Sequence, residues 1–210
     1  MPGSLAARAF LLAYDLDRQR TTGDQLALVV RGALLVELNL RGGLTVDDDG
    51  RVKASGTVRT GDEVMDGVLR TISEARPRSW RSWVRVNARQ TLCAVRRQLA
   101  AAGVVSLDVH RVLGIFPRTR VTMREPAAVI APRQSLRAVV AGTRPASAED
   151  AALVALVAVG QLSATLSRKD RRAHAARIGE LTEQGEAAAP ALRSVLRQIK
   201  AARTAAQAGG

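Results

Sequence analysis

Residues 25–40, QLALVVRGALLVELNL, decide the fold. Leu26, Leu28, Val29, Val30, Leu34, Leu35, Val36, Leu38 and Leu40 leave no broad polar face, and a helix that is apolar nearly all round is a central, buried one. Thr22-Gly23-Asp24 stands in front of it, with Asp24 expected to accept from the free amides of the first turn. Gly42-Gly43 marks its end. Arg31 is the informative exception inside this stretch. Its helical neighbours are Ala27, Leu28, Leu34, Leu35 and Leu38, so the guanidinium leaves an apolar face. A charge in that setting needs a carboxylate, backbone carbonyls or an external anion. Asp24, Glu37 and loop carbonyls are the internal candidates, and an anion from outside the chain is the external one.

Working outward, Leu44 to Ser55 carries two short β-prone runs around Asp47-Asp48-Asp49-Gly50, which predicts a small hairpin. The acids there do not alternate as a calcium loop requires. Thr60-Gly61-Asp62 opens a helix through Met65, Val68, Leu69 and Ile72 that Arg76-Pro77 ends. A further helix starts at Ser79, breaks near Asn87 and stops at Gly103, with Trp80 and Trp83 more readily core anchors than stacking platforms. Val104 to Met123 reads as a second hairpin. A short helix is expected between Gln134 and Val140, a buried one over Ala148 to Leu166, and an amphipathic terminal one through Leu192, Val195, Leu196 and Ile199. The expectation is a mainly α fold, a single helical domain over 1–210 built around buried central helices with two small β-hairpins. Its core spans about 5–200, and the tail 201–210 is expected to fray.

The chain has 210 residues, enough for a full apolar core without metals or disulfides. One cysteine, Cys93, excludes an internal disulfide framework and points to a reducing compartment. No export signal or bilayer-spanning run is visible, and neither a cofactor motif nor a His/Cys/Asp cluster with metal-ligand spacing occurs. Neither a nucleophile elbow nor a phosphate loop is present, so the chain is expected not to be an enzyme.

The net charge of +13 is regional. Arg76 to Arg144 holds fourteen arginines and two acids, Asp108 and Glu125, which leaves +1 for the other 141 residues. Arginine makes up 29 of the 32 bases, a bias that a GC-rich genome produces, but such a bias does not segregate charge. Segregated positive charge steers polyanions, either nucleic acid or an anionic membrane surface. Arg78, Arg81, Arg85, Arg89 and Arg96 would form a basic stripe on one continuous helix, while a break near Asn87 confines it mainly to the first segment. Leu113, Ile115 and Phe116 form an apolar hairpin tip between Arg111 and Arg118, which suits partial insertion into an anionic bilayer or, equally, burial in the core. A helix ending at Gly103 before a basic hairpin also fits a winged-helix DNA binder. The 2% aromatic content and the lack of a polar recognition helix disfavour nucleic acid. A protein-interaction scaffold is the third class.

Residues 30–44, VRGALLVELNLRGGL, resemble the Golgi phosphoprotein 3 family, including its bacterial members. Thr60-Gly61-Asp62-Glu63-Val64-Met65-Asp66 is similar to that family's Thr-Gly-Asp element, and Val95 to Val105 with Arg111 to Arg120 to its arginine-rich helix and hairpin. The resemblance implies a non-catalytic, cytoplasmic protein peripherally associated with membrane. It implies binding of an anionic phospholipid with a phosphoinositide-type headgroup, phosphatidylinositol 4-phosphate, through a basic pocket and an inserting hairpin at about 108–118. Arg31 matches the family's pocket arginine and Arg89 an arginine of its later helix. The family's pocket tryptophan falls near Thr22 and its second helical arginine on Leu92, so half the pocket differs. The expected headgroup residues are Arg31, Arg81, Arg85 and Arg89, with Leu113, Ile115 and Phe116 as the inserting tip.

Overall fold

A computed structural model describes residues 3–56, 58–112 and 116–208, with side chains left aside at 109–112 and 116–118. Among these residues the chain runs α1 (Leu5–Ala13), β1 (Tyr14–Asp15), β2 (Arg20–Thr21), α2 (Leu26–Leu40), β3 (Leu44–Val46), β4 (Val52–Ala54), α3 (Glu63–Ser73), α4 (Trp80–Arg85), α5 (Ala88–Ala101), β5 (Val105–Val112), β6 (Phe116–Met123), α6 (Ala127–Val140), α7 (Ala148–Val159), α8 (Arg168–Ala173), α9 (Ala175–Ala188) and α10 (Pro190–Ala208). The fold is mainly α, and its three antiparallel two-stranded sheets are β1–β2, β3–β4 and β5–β6. The first of these hairpins, and α1, α8 and α9, lie outside the elements expected from the sequence.

The apolar stretch 25–40 supplies the central helix. α2 buries Val29 to Leu38 without interruption and packs against α1, α4, α5, α7 and α10. α7 is the second buried helix, with Ala151 to Val157 all inside. One apolar cluster joins these side chains to Phe10, Trp80, Trp83, Val95, Leu181 and Ile199. The tryptophans are therefore core residues, 8% and 1% exposed.

Local chemistry accounts for most boundaries. Asp62 caps α3 by accepting from Val64 and Met65 amides at 2.9 Å each. The break between α4 and α5 falls at Asn87, whose φ of 57° is one that Asn tolerates better than most residues. Four boundaries differ from expectation. Asp24 does not cap α2: Gly23, at φ 92°, turns the chain so that Gln25 takes the cap position, with no side-chain hydrogen bond. α7 stops at Val159, short of Leu166, because Gly160 packs against α2 and an arginine from α10 takes over the helix end: Arg203 Nη1 donates to the Val159 carbonyl at 2.6 Å. α6 begins at Ala127 and tolerates Pro132, because Ala128 and Val129 are held in the core. Finally, residues 201–208 continue α10 as helix rather than fraying.

Two glycines show opposite constraints. A Cβ on Gly32, inside α2, would overlap Val195 Cγ1 of α10, so the glycine sets how closely these helices approach. A Cβ on Gly67, inside α3, would meet nothing within 4 Å. Gly32→Ala is expected to cost about 1–3 kcal/mol through overpacking. Gly67→Ala is expected to add about 0.5–1 kcal/mol through helix entropy. Urea unfolding of both variants reads the two signs directly.

Asp150 joins the ends of three segments. It completes a capping box with Ser147 at the start of α7 and accepts from Arg8 Nη2 at 3.0 Å and Arg144 Nη2 at 2.8 Å. Burial pushes its carboxyl up, but the hydrogen bonds from Ser147, Arg144 and Arg8 outweigh this and hold it below its usual 3.8. A depressed pKa stabilises the fold above the unfolded value, and that contribution is lost as pH falls through the folded one. Asp150→Asn is therefore expected to cost about 1.5–3 kcal/mol at pH 7. The gap to the parent protein should close as the pH falls below 3.8. Chemical denaturation across that range measures it.

Candidate anion-binding site

α4 is short and strongly sided. Ser79 accepts from the Ser82 amide at its start, and Trp80, Trp83 and Val84 turn inward, which leaves Arg81 and Arg85, one helical turn apart, on the exposed face. After the left-handed turn at Asn87, α5 starts without a side-chain cap, and Arg89 is exposed in its first turn. These three arginines line one groove of about 760 Å³. None of them forms an ion pair with the described residues. The groove is closed on its other side by α10 through Gln198, Ala201, Ala202 and Ala205, the last three of them in the tail expected to fray.

Backbone adds to this charge. The starts of α2 and α5 both reach the groove, at Gln25 to Leu28 and at Asn87 to Gln90, and neither has a side-chain cap. The first amides of a helix have no intrahelical acceptor and carry the positive end of its dipole, a combination that binds anions. Asp24 is the one acid in the lining.

Arg31 lies elsewhere. It is 1% exposed, with Nε donating to the Trp83 carbonyl at 3.1 Å and Nη1 to Thr91 Oγ1 at 3.2 Å. No carboxylate stands within ion-pair reach among the described residues, and Nη2 has no hydrogen-bond partner there. Loss of solvation lowers its pKa to about 10. Of the internal partners foreseen, a carbonyl is used, whereas Glu37 is engaged by the Leu5 amide at 2.7 Å and by Arg41 Nη2 at 2.6 Å. Arg31 belongs to a separate cleft of about 500 Å³ between α3 and α5. The two hollows meet at Asn87 and Gln90, which line both. The structure thus brings Arg81, Arg85 and Arg89 together and sets Arg31 behind them.

Sequence reasoning missed a third hollow. Arg20 from β2, Arg96 from α5 and Arg120 from β6 surround about 270 Å³ beside Tyr14, with no acid in the lining. Tyr14 ties this place to the second hairpin, because its hydroxyl accepts from the Met123 amide at 3.3 Å and lies 3.1 Å from the Val121 carbonyl. Arg96 stacks 5.5 Å from the Phe10 ring, and burial lowers its pKa. Arg20 carried no local signal, since it joins the others only through β1–β2 pairing. Seven residues separate Arg89 from Arg96, which places both on one face of α5. The hairpin pairs from Val105↔Met123 to Val112↔Phe116. Leu113 and Ile115 lie outside the described residues, as does the side chain of Phe116.

This arrangement separates structural from surface arginines. Arg31→Ala removes two buried hydrogen bonds and opens a cavity, so it is expected to cost about 2–5 kcal/mol. Arg89→Ala, on the surface, is expected to stay within about 0.5 kcal/mol of the parent. Thermal and urea unfolding of the two variants checks this.

A comparison with curated proteins gives no match. The family model described as Golgi phosphoprotein 3 (GPP34) matches residues 5–199, from the first residue of α1 to well inside α10. The chain that builds this groove therefore belongs to the Golgi phosphoprotein 3 family.

Proposed function

We propose that the protein binds, without catalysis, to anionic phospholipid surfaces through the Arg81–Arg85–Arg89 groove. The observation that carries this reading is the convergence of three exposed, unpaired arginines with two uncapped helix starts on one hollow. Such a site supplies both mobile charge and fixed amide donors to phosphate oxygens. The basic face continues along α5 to Arg96 and on to Arg120, midway along the second hairpin. That would let the Leu113, Ile115 and Phe116 tip enter the bilayer while the groove holds a headgroup. Family membership is consistent with lipid binding of this kind, and the resemblance makes a 4-phosphorylated inositol headgroup the ligand of choice. No helix of the described residues is long and apolar enough to cross a membrane, so association of this type is peripheral.

Surface bases contribute about 1 kcal/mol each to binding at an anionic membrane, about fivefold in affinity. Converting Arg81, Arg85 and Arg89 to glutamine together is expected to weaken co-sedimentation with acidic vesicles about a hundredfold at low salt. Raising the salt should weaken the parent in the same direction. Vesicles with and without phosphatidylinositol 4-phosphate, at equal total charge, read headgroup preference. Unchanged vesicle binding by the triple variant, or tight salt-sensitive binding to duplex DNA with none to vesicles, would overturn the proposal.

A further inference from the structure

The hollow beside Tyr14 is separate from the groove. Arg96 stands seven residues beyond Arg89, about 10 Å further along α5, so a single phosphate cannot sit on both. Arg20, Arg96 and Arg120 arrive from β2, α5 and β6, and none of them forms an ion pair with the described residues. The acids opposite Arg20 and Arg120 in their hairpins do not compensate. Asp15, across from Arg20, is held by its own turn: it accepts from the Asp17 and Arg18 amides at 3.1 and 3.0 Å and lies 4.0 Å from Arg18 Nε. Asp108, across from Arg120, lines no part of the hollow. Like charges gathered without a counter-ion repel one another, and Arg96 carries a further cost, because its Nε is buried with no hydrogen-bond partner among the described residues. The turn that presents Arg20 is itself in an uncommon conformation. Gln19 has φ 50°, a sparsely populated region for a residue other than glycine. Its side chain bridges the turn to the core, with Oε1 3.0 Å from the Tyr14 hydroxyl and Nε2 donating to the Leu16 carbonyl at 2.6 Å. The same buried hydroxyl accepts from the Met123 amide of β6, so Tyr14 fixes the arms that carry Arg20 and Arg120.

We propose that the Tyr14 hollow binds a small phosphate monoester, with the terminal oxygens on Arg20, Arg96 and Arg120. The charge selects the class of ligand. Three guanidinium forks from three elements match a group with three acceptor oxygens and a charge of about −2, whereas a carboxylate offers two oxygens and a single charge. The remaining polar lining, Gln19, Thr21 and Thr119, adds neutral donors and no acid. Size and polarity select the body. About 270 Å³ lies below the usual range for drug-sized ligands, and Tyr14 and Val121 are the only largely apolar residues of the lining, which leaves space for a short polar group and none for a hydrocarbon chain. Tyr14 is 0% exposed, so the bases of a nucleic acid find no stacking surface here. A soluble metabolite and a lipid headgroup can both carry this phosphoryl group. The site does not rest on the membrane reading, because it uses none of the groove's arginines.

Calorimetric titration of the full chain carrying Arg81→Gln, Arg85→Gln and Arg89→Gln, which disables the groove, tests the hollow with glycerol 3-phosphate, inorganic phosphate and acetate at constant ionic strength. One equivalent of glycerol 3-phosphate or phosphate is expected to bind saturably, and about tenfold or more tighter than acetate. Adding Arg20→Gln or Arg120→Gln, both at exposed positions, should weaken phosphate binding about tenfold each while the circular dichroism spectrum stays unchanged. Vesicles identify the source of the phosphate. A preference of the triple variant for phosphatidate over phosphatidylglycerol at equal total charge, lost on adding Arg20→Gln, assigns it to a lipid. Binding of glycerol 3-phosphate without that preference assigns it to a soluble molecule, and either result upholds the site. No saturable phosphate binding by the folded triple variant, acetate held as tightly as phosphate, or phosphate binding undiminished by both added substitutions would each refute it. The groove is already disabled in these variants, so failure here is distinguishable from failure of the membrane reading, which compares the parent with the triple variant.

Discussion

The architecture depends on charges buried in its most apolar helix. α2 carries Arg31 and Glu37 inside the core, each 1% exposed, and each is bonded to the end of a different helix. Arg31 donates to the Trp83 carbonyl, one of the last in α4, where helices carry partial negative charge. Glu37 accepts from the Leu5 amide at the start of α1, where helices carry partial positive charge. The signs match in both cases. Cation and anion are thus stabilised by backbone that has lost its own partners, although burial still raises the Glu37 carboxyl and lowers the Arg31 guanidinium. Apolar packing alone would let α1 and α4 slide along α2, whereas these bonds specify where each one ends.

The consequence for the site is direct. Arg31 holds Trp83 of α4 and Thr91 of α5, and Thr91 Oγ1 in turn donates to the Asn87 carbonyl at 3.0 Å. The left-handed turn at Asn87 is thereby pinned from beneath. That turn separates two helices whose exposed arginines would otherwise follow one continuous axis, and it aims the start of α5 at the groove. An arginine that does not line the groove nevertheless sets the positions of the three that do.

How much of this was legible in the sequence differs by element. Asn87 was readable as a break because Leu92 and Leu99 would otherwise share an arc with arginines. The two longer hairpins, α3 and the centrality of α2 were readable because turn chemistry and apolar periodicity are local. α7 ended earlier than its apolar run suggested because the close contact of Gly160 with α2 and the capping arginine from α10 are tertiary. The tail of α10 stayed helical for a similar reason, since Arg203 is bonded to the Val159 carbonyl at the end of α7.

For the site, composition alone determined that positive charge is concentrated between Arg76 and Arg144, and one helix period placed Arg81 with Arg85. The chemistry of Arg31 required a partner, and the sequence narrowed that partner to carbonyls, carboxylates or an external anion. Only the tertiary structure decided among them, and it chose a carbonyl and a hydroxyl while leaving one nitrogen unpaired. It also decided that Arg31 faces a different cleft from Arg89, and that Arg20, Arg96 and Arg120 meet. The reason is physical: charge and periodicity are properties of residues near in sequence, whereas the partner of a buried group is set by which distant segments the core brings against it.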